Sequence, residues 1–94
     1  MSGDRERRDI EARLAALQAR AAPLEEALAD FRHQARRLGD RQERAGGSDH
    51  AAAREQGLVG ENLRLIENEL TRLRTGQADL ERRLAALENA EDGD

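Results

Sequence analysis

The sequence lacks the residues that small proteins use to build a compact core or a disulfide framework. It contains no Cys, Trp or Tyr, a single Phe and a single Pro among 94 residues. Without Cys, disulfide bonds and thiol chemistry are excluded. Because large apolar side chains are scarce, a compact globule could not offset the entropy of ordering its chain. Long helices or a coiled coil fit this composition better.

Charge and hydropathy exclude further classes of protein. Basic residues number 16 and acidic residues 20, so the net charge is −4. Nucleic-acid-binding domains carry a strong basic excess, so we expect no direct nucleic-acid binding. No apolar run reaches the roughly 18 residues that a membrane span needs, and the N-terminus has no apolar stretch typical of a secretory signal. We therefore expect a cytoplasmic protein with no membrane contact.

Two long segments repeat apolar residues at alternating spacings of four and three. This spacing keeps one apolar stripe of a helix facing a partner helix, as in a coiled coil. Only Gln77 interrupts the apolar character of the two stripes, which are called seams below. The seam residues are Ile10, Leu14, Leu17, Ala21, Leu24, Leu28, Phe31, Ala35 and Leu38 in the first segment and Val59, Leu63, Ile66, Leu70, Leu73, Gln77, Leu80, Leu84 and Leu87 in the second.

The glycine-rich stretch between the seams predicts where the chain reverses. Gly39 follows the last seam residue of the first segment, where a helix C-cap is expected. Ser48 or Asp49 can cap the next helix with a side-chain oxygen. Pro23 is expected to kink helix one without starting a loop. We predict an all-α, antiparallel coiled-coil helical hairpin with an acidic, glycine-rich tip. The predicted bounds are a single domain at 1–94, helix one at about 4–38, the tip at 39–49, helix two at about 50–90 and an acidic tail at 91–94.

The tip holds the candidates for chemistry, because no enzyme motif occurs along the chain. The two histidines have no metal-ligating companions, and Ser48 has no arranged base. Asp40 and Glu43 are carboxylates that Mg²⁺ accepts as ligands, but two of them complete a site only with water, phosphate or a second protein. Turns are rich in acidic residues and glycine because they are solvated, so a plain connector is the alternative interpretation.

Two motifs near the tip resemble one protein family. HAAAREQG, at residues 50–57, resembles the stretch that opens the second helix of the N-terminal coiled coil in Gre-type transcript cleavage factors of bacterial RNA polymerase. Just before it, Gly39, Asp40 and Glu43 resemble the G-D-x-x-E tip of those factors. The two motifs stand in the same order in this chain as in the family.

Both predicted helices carry further parts of the resemblance. The family has a leucine repeat followed by a proline on its first helix, and two apolar residues followed by an apolar seam on its second. The matching residues here are Leu14, Leu17 and Pro23 on helix one and Leu58, Val59, Leu63, Ile66 and Leu70 on helix two. The resemblance covers roughly residues 10–73 and only the N-terminal coiled coil of the family, so we expect its C-terminal globular domain to be absent.

The resemblance implies a transcription regulator that is not itself an enzyme. In the family the coiled coil enters the secondary channel of the polymerase, and the two tip acids help to position a catalytic Mg²⁺ and a water. Asp40 and Glu43 would then be catalytic and metal-binding in trans, with Mg²⁺ shared with the polymerase and no cofactor of the chain's own. The tip residues expected to contact the polymerase are Gly39, Arg41, Arg44, Asp49 and His50.

Two questions stay open at this point. The resemblance does not decide whether the chain modulates transcript cleavage and elongation or inhibits them. The alternative function is a structural or adaptor coiled coil that forms a homodimer or binds a helical partner. In that case Gln77 would specify the register of the pair, and the tip would have no role.

Overall fold

A computed structural model describes residues 2–92, which form two long α-helices. Helix α1 spans Ser2–Arg44, and helix α2 spans His50–Asp92. No strand occurs within the described residues, so the predicted all-α helical hairpin is confirmed. Over the same residues, neither helix has a stretch apolar enough to cross a bilayer. α2 includes residues 91–92, which were predicted to belong to the acidic tail, and residues 93–94 of that tail lie outside the described residues.

The chain divides into two compact units. The unit at Pro23–Leu70 contains the turn and is called the turn unit below. In this unit Arg32 of α1 forms an ion pair with Glu67 of α2 (Nη2–Oε1 3.6 Å), and nearer the turn Arg41 pairs with Asp49. Partner positions on α2 fall as positions on α1 rise, which is the order of antiparallel helices. One core cluster of the turn unit consists of Leu38, Ala52 and Val59, with Phe31, Ala35 and Leu63 packed against them. Leu28 and Leu70 are buried in the same unit.

The second unit, called the terminal unit, contains the part of α1 before Pro23 and the part of α2 after Leu70. Glu6 of α1 pairs with Arg83 of α2 (Oε1–Nη2 3.9 Å). Farther along α1, the Leu17 side chain lies beside Gly76, where a Cβ would be 3.5 Å from Leu17 Cδ1. These contacts also run in antiparallel order. The buried residues of this unit are Ile10, Leu73 and Leu80.

Burial along both helices follows the predicted seams. Every predicted seam residue is buried or half-buried, so the seam prediction is confirmed. The same spacing continues toward the turn through Gln42 on α1 and through Gln56 and Ala52 on α2, none of which is exposed. The polar seam residue Gln77 donates a hydrogen bond to Glu81 Oε1 of its own helix at 3.1 Å.

The predicted end of helix one at Leu38, with a tip at 39–49, is wrong. α1 continues through Gly39 to Arg44. One glycine inside a helix costs only about 1 kcal/mol relative to alanine, and residues 41–44 are good helix formers that add further backbone hydrogen bonds. Gly39 itself is half-buried on the inner side of α1 and does not cap the helix.

The chain leaves α1 at a pair of glycines with left-handed backbone geometry. Gly46 and Gly47 have φ values of 62° and 81°. The Gly47 N–H donates to the Gln42 carbonyl at 2.9 Å, and the Gly46 N–H donates to the Glu43 carbonyl at 3.0 Å. These two bonds form a Schellman motif, which satisfies carbonyls at a helix C-terminus and favours glycine where φ is positive. This glycine pair therefore takes the capping role that the sequence suggested for Gly39.

Pro23 lies within α1, which continues on both sides of it. Proline has no N–H, so the carbonyl of Ala19 loses its helical hydrogen-bond partner. Pro23 and Ala19 are both exposed, so water can hydrate that carbonyl. The prediction that the chain forms no loop at Pro23 is confirmed.

Candidate functional site

Asp40 and Glu43 lie in the last part of α1, beside the turn, and both are exposed. Both residues are therefore part of the helix, whereas the predicted tip at 39–49 had placed them in a loop. Residues three apart on a helix are neighbours on its surface, with Cβ atoms about 5–6 Å apart. Neither side chain forms a hydrogen bond or ion pair within the described residues. Each carboxylate is thus available to a ligand.

Arginines and carboxylates share an open groove beside the turn. Two of the arginines, Arg37 and Arg44, form no ion pair within the described residues. Because both signs of charge are present, the groove suits a polar partner better than an apolar ligand. The residues that line the groove include Arg37, Arg41, Arg44, Asp40, Asp49 and Glu55.

Asp49 caps α2 and also binds α1. Its Oδ1 accepts the Ala52 N–H at 3.0 Å, and its Oδ2 accepts the Arg41 Nε–H at 2.7 Å. The Ala52 amide and the Arg41 guanidinium lower the pKa of the Asp49 carboxyl, which is therefore ionised at neutral pH. Of the two capping candidates, Asp49 is the cap. Ser48 instead donates its hydroxyl to the Ala45 carbonyl at 2.6 Å and tightens the turn.

The predicted partner-binding residues do not all lie on the surface of a loop. Arg44 is exposed at the end of α1, and His50 is exposed at the start of α2. Gly39 is half-buried between the helices, which removes it from the exposed set. Arg41 has a half-exposed side chain that is already engaged with Asp49.

Sequence reasoning missed two features of this site. One is the role of Gly46 as the C-cap of α1, because the glycine-rich stretch was recognised as the point of reversal but the cap was assigned to Gly39. The other is the bond between Arg41 and Asp49, which spans the turn. Asp49 was recognised as a capping candidate, but the sequence held no signal for its partner.

Asp40 and Glu43 fit part of a Mg²⁺ coordination shell. Mg²⁺ prefers an octahedral set of oxygens and usually keeps several waters beside one or two carboxylates. Among the described residues, no group of three or more His, Cys, Asp or Glu side chains could hold a metal ion. A Mg²⁺ ion at this pair would therefore take its remaining ligands from water, phosphate or a second protein.

No protein-family model matches the sequence, and neither a curated protein nor a solved structure matches it significantly.

Proposed function

We propose that the protein is a transcription regulator that inserts the turn of its hairpin into the secondary channel of bacterial RNA polymerase. The observation that carries the proposal is the pair Asp40 and Glu43, which is exposed, unpaired and adjacent to the turn. Two helices side by side measure about 20 Å across, so the turn is a narrow element that presents this pair at its end. The sequence resemblance to the Gre-type coiled coil supports the same proposal.

In this function the chain donates ligands and is not itself an enzyme. Asp40 and Glu43 supply oxygen ligands and negative charge from neighbouring helix positions. A Mg²⁺ shared with the polymerase would, when bound, stabilise the attacking and leaving oxygens of phosphodiester hydrolysis. Arg44 and His50 lie on the exposed surface near the pair and are the proposed contacts with the polymerase. Asp49 and Arg41 are bonded to each other across the turn.

The test is a cleavage assay on a deliberately backtracked RNA polymerase elongation complex with labelled RNA and Mg²⁺. Asp40→Asn combined with Glu43→Gln removes both charges without changing side-chain size. Glu26→Gln combined with Asp30→Asn is the matched control, because both residues are exposed on α1 in the same unit and lie away from the turn. We expect the wild-type protein and the control to change the rate of RNA shortening, and the first variant to leave it at the background rate.

The direction of the effect decides the kind of regulation. Faster RNA shortening than in the absence of protein identifies a donor that stimulates cleavage. If the protein inhibits an authentic Gre factor, it competes for the channel. The variant Asp40→Asn with Glu43→Gln then shows whether this inhibition needs the two carboxylates or only occupancy of the channel. A wild-type protein with no effect in either assay contradicts the proposal.

A second candidate function, a structural or adaptor coiled coil, is favoured by the outer face of α2. Leu58 and Leu65 are 63% and 67% exposed and lie seven residues apart, which places them on one face of the helix. Large exposed apolar side chains that share a face are typical of helix–helix contacts. The proposed partner is a second copy of the chain. Sedimentation equilibrium should then show a dimer that Leu58→Gln with Leu65→Gln abolishes, and a monomer at all concentrations would exclude it.

A further inference from the structure

The Asp49 carboxylate links the two helices across the turn by using each oxygen for a different helix. Oδ1 accepts from the first turn of α2, at the Ala52 amide, and Oδ2 accepts from α1, at Arg41 Nε. The second bond, at 2.7 Å, has the short length of a charge-assisted hydrogen bond. A single side chain thus connects the end of one helix to the beginning of the next.

Both partners of Asp49 are held by the surrounding structure. Ala52 is fully buried in the core cluster that also contains Leu38. The Arg41 carbonyl accepts the Ala45 N–H at 3.2 Å, so Arg41 belongs to the last hydrogen-bonded turns of α1. Asp49 therefore joins a core-anchored residue of α2 to the part of α1 that is closest to the turn.

Arg41 lies between Asp40 and Glu43 in the chain. Helix ends fray, and the Schellman bonds of Gly46 and Gly47 are local to the turn and join α1 to no residue of α2. A movement of the last turn of α1 would displace both carboxylates together. Because Arg41 is part of that turn, its bond to Asp49 opposes such a movement.

Helix capping alone does not explain an aspartate at position 49. Asn caps a helix about as well as Asp, since either side chain accepts a backbone N–H. Only a carboxylate has a second, charged oxygen for the guanidinium while the first accepts the capping N–H, because the other polar atom of asparagine is an NH2 donor. The lowered pKa of Asp49 agrees with a carboxylate that is ionised when it makes this bond.

We infer that Asp49 is a positioning residue that, through Arg41, holds Asp40 and Glu43 in one orientation relative to α2. The consequence for transcript cleavage rests on the proposed function. The orientation itself is a property of the free protein, so it can be measured without the polymerase. Metal ligands tolerate little displacement, and a misplacement of about 1 Å can lower a reaction rate by as much as ~100-fold.

The first measurement is made on the free protein. The sequence has no cysteine, so Arg54→Cys, at an exposed position of α2, accepts a single nitroxide spin label. Paramagnetic relaxation of the Asp40 and Glu43 amides then reports their distance from α2. In the labelled protein, Asp49→Asn keeps the helix cap and loses the ion pair with Arg41. We expect this substitution to change the relaxation rates of the Asp40 and Glu43 amides or to broaden the range of distances that they report. Asp79→Asn is the control, because it removes an arginine pair with Arg82 in the terminal unit.

The second measurement is the cleavage assay with the unlabelled variants. We expect Asp49→Asn to lower the maximal rate at saturating protein by at least about tenfold, because ligands that are not held are misplaced. The protein concentration that gives half of the effect should change little, since the exposed contact residues are intact. A purely structural role would raise the half-saturating concentration and leave the maximal rate unchanged, whatever the change in the thermal midpoint. Asp79→Asn should match the wild type in both quantities.

The outcomes separate this inference from the proposed function. Unchanged relaxation in Asp49→Asn overturns the inference whatever the polymerase does. Changed relaxation with an unchanged cleavage rate, in an assay where Asp40→Asn with Glu43→Gln abolishes the effect, overturns the positioning role and leaves the proposed function standing. If the wild-type protein does not affect the polymerase at all, the proposed function fails, and the relaxation data alone decide whether Asp49 orients the two acids.

Discussion

An aspartate four residues before an arginine forms an ion pair in the terminal unit but not beside the turn. In the terminal unit, Asp9 pairs with Arg13 one turn further along α1, with Oδ2 3.4 Å from Nη2. In the turn unit, Asp40 has Arg44 at the same spacing, and yet the two side chains form no ion pair. Glu43 is unpaired as well. The Asp9 pair stabilises its helix, whereas Asp40 contributes no such pair to the helix beside the turn.

Glycine shows the same difference between the two units. Gly76 in the terminal unit is helical, and the neighbouring Leu17 side chain occupies the space beside it. Gly46 in the turn unit has a left-handed backbone and no atom within 4 Å of a Cβ position. The first glycine concerns packing between helices, whereas the second concerns the reversal of the chain. Helix pairing thus explains the terminal unit, and the turn unit contains residues that helix pairing does not require.

The largest expected effect comes from removing a core side chain, and it tests whether the two units lose structure separately. Ile10 in the terminal unit and Leu70 in the turn unit are each 1% exposed. Replacing either with alanine should cost about 2–5 kcal/mol, which is a large share of the stability of a small hairpin. We expect a lower thermal midpoint by circular dichroism and the greatest loss of amide protection in the unit that carries the substitution. Equal loss in both units would show that they unfold together.

Next in size are two glycine substitutions that should have opposite signs. Gly46→Ala forces an L-residue into a left-handed backbone and should destabilise the protein by about 1–2 kcal/mol. Gly76→Ala places its Cβ in ordinary contact with Leu17 and should stabilise by up to about 1 kcal/mol through helix propensity. Gly57→Ala is the control, because it is helical with open space around it and should also stabilise. Urea unfolding measures all three, and a neutral Gly46→Ala would contradict the Schellman cap.

A pH series tests the Asp49 cap. The folded protein holds the pKa of Asp49 below its ordinary value of 3.8, so the carboxylate stabilises the fold at neutral pH. That contribution is complete above the ordinary value and is lost as the pH falls through the lower, folded value. Asp49→Asn removes the charge at every pH. The thermal midpoints of wild type and Asp49→Asn should therefore differ at neutral pH and converge in strong acid, and a constant difference would exclude an ionised carboxylate in the turn.

The helices and seams could be predicted from the sequence because burial in a pair of helices depends on local spacing. The end of α1 could not, because Gly39 after Leu38 looks the same as a helix cap. Gly39 inside the helix costs about 1 kcal/mol. The backbone hydrogen bonds gained when α1 continues past Gly39 outweigh that cost. The bond from Arg41 to Asp49 could not be predicted either. It joins residues on opposite sides of the turn and depends on the backbone path between them.

The smallest expected effect bears most directly on function, because it asks whether Asp40 is free in solution. Asp9→Asn removes an exposed ion pair and should destabilise by about 0.3–0.5 kcal/mol at low salt. Asp40→Asn has no pair to lose and removes a negative charge near the negative end of the helix dipole, so it should be neutral or stabilise by a few tenths of a kcal/mol. Urea unfolding at low and at high salt measures the difference, which salt should screen.

If Asp40→Asn destabilises as much as Asp9→Asn, then Asp40 pairs with Arg44 in solution. The carboxylate would be satisfied within its own helix, and a ligand would have to break that pair before binding. The acid pair would then be an ordinary part of a helix surface, as the paired carboxylates of the terminal unit are. A neutral or stabilising Asp40→Asn would instead show that Asp40 makes no stabilising pair in solution, so that its carboxylate is available to a ligand.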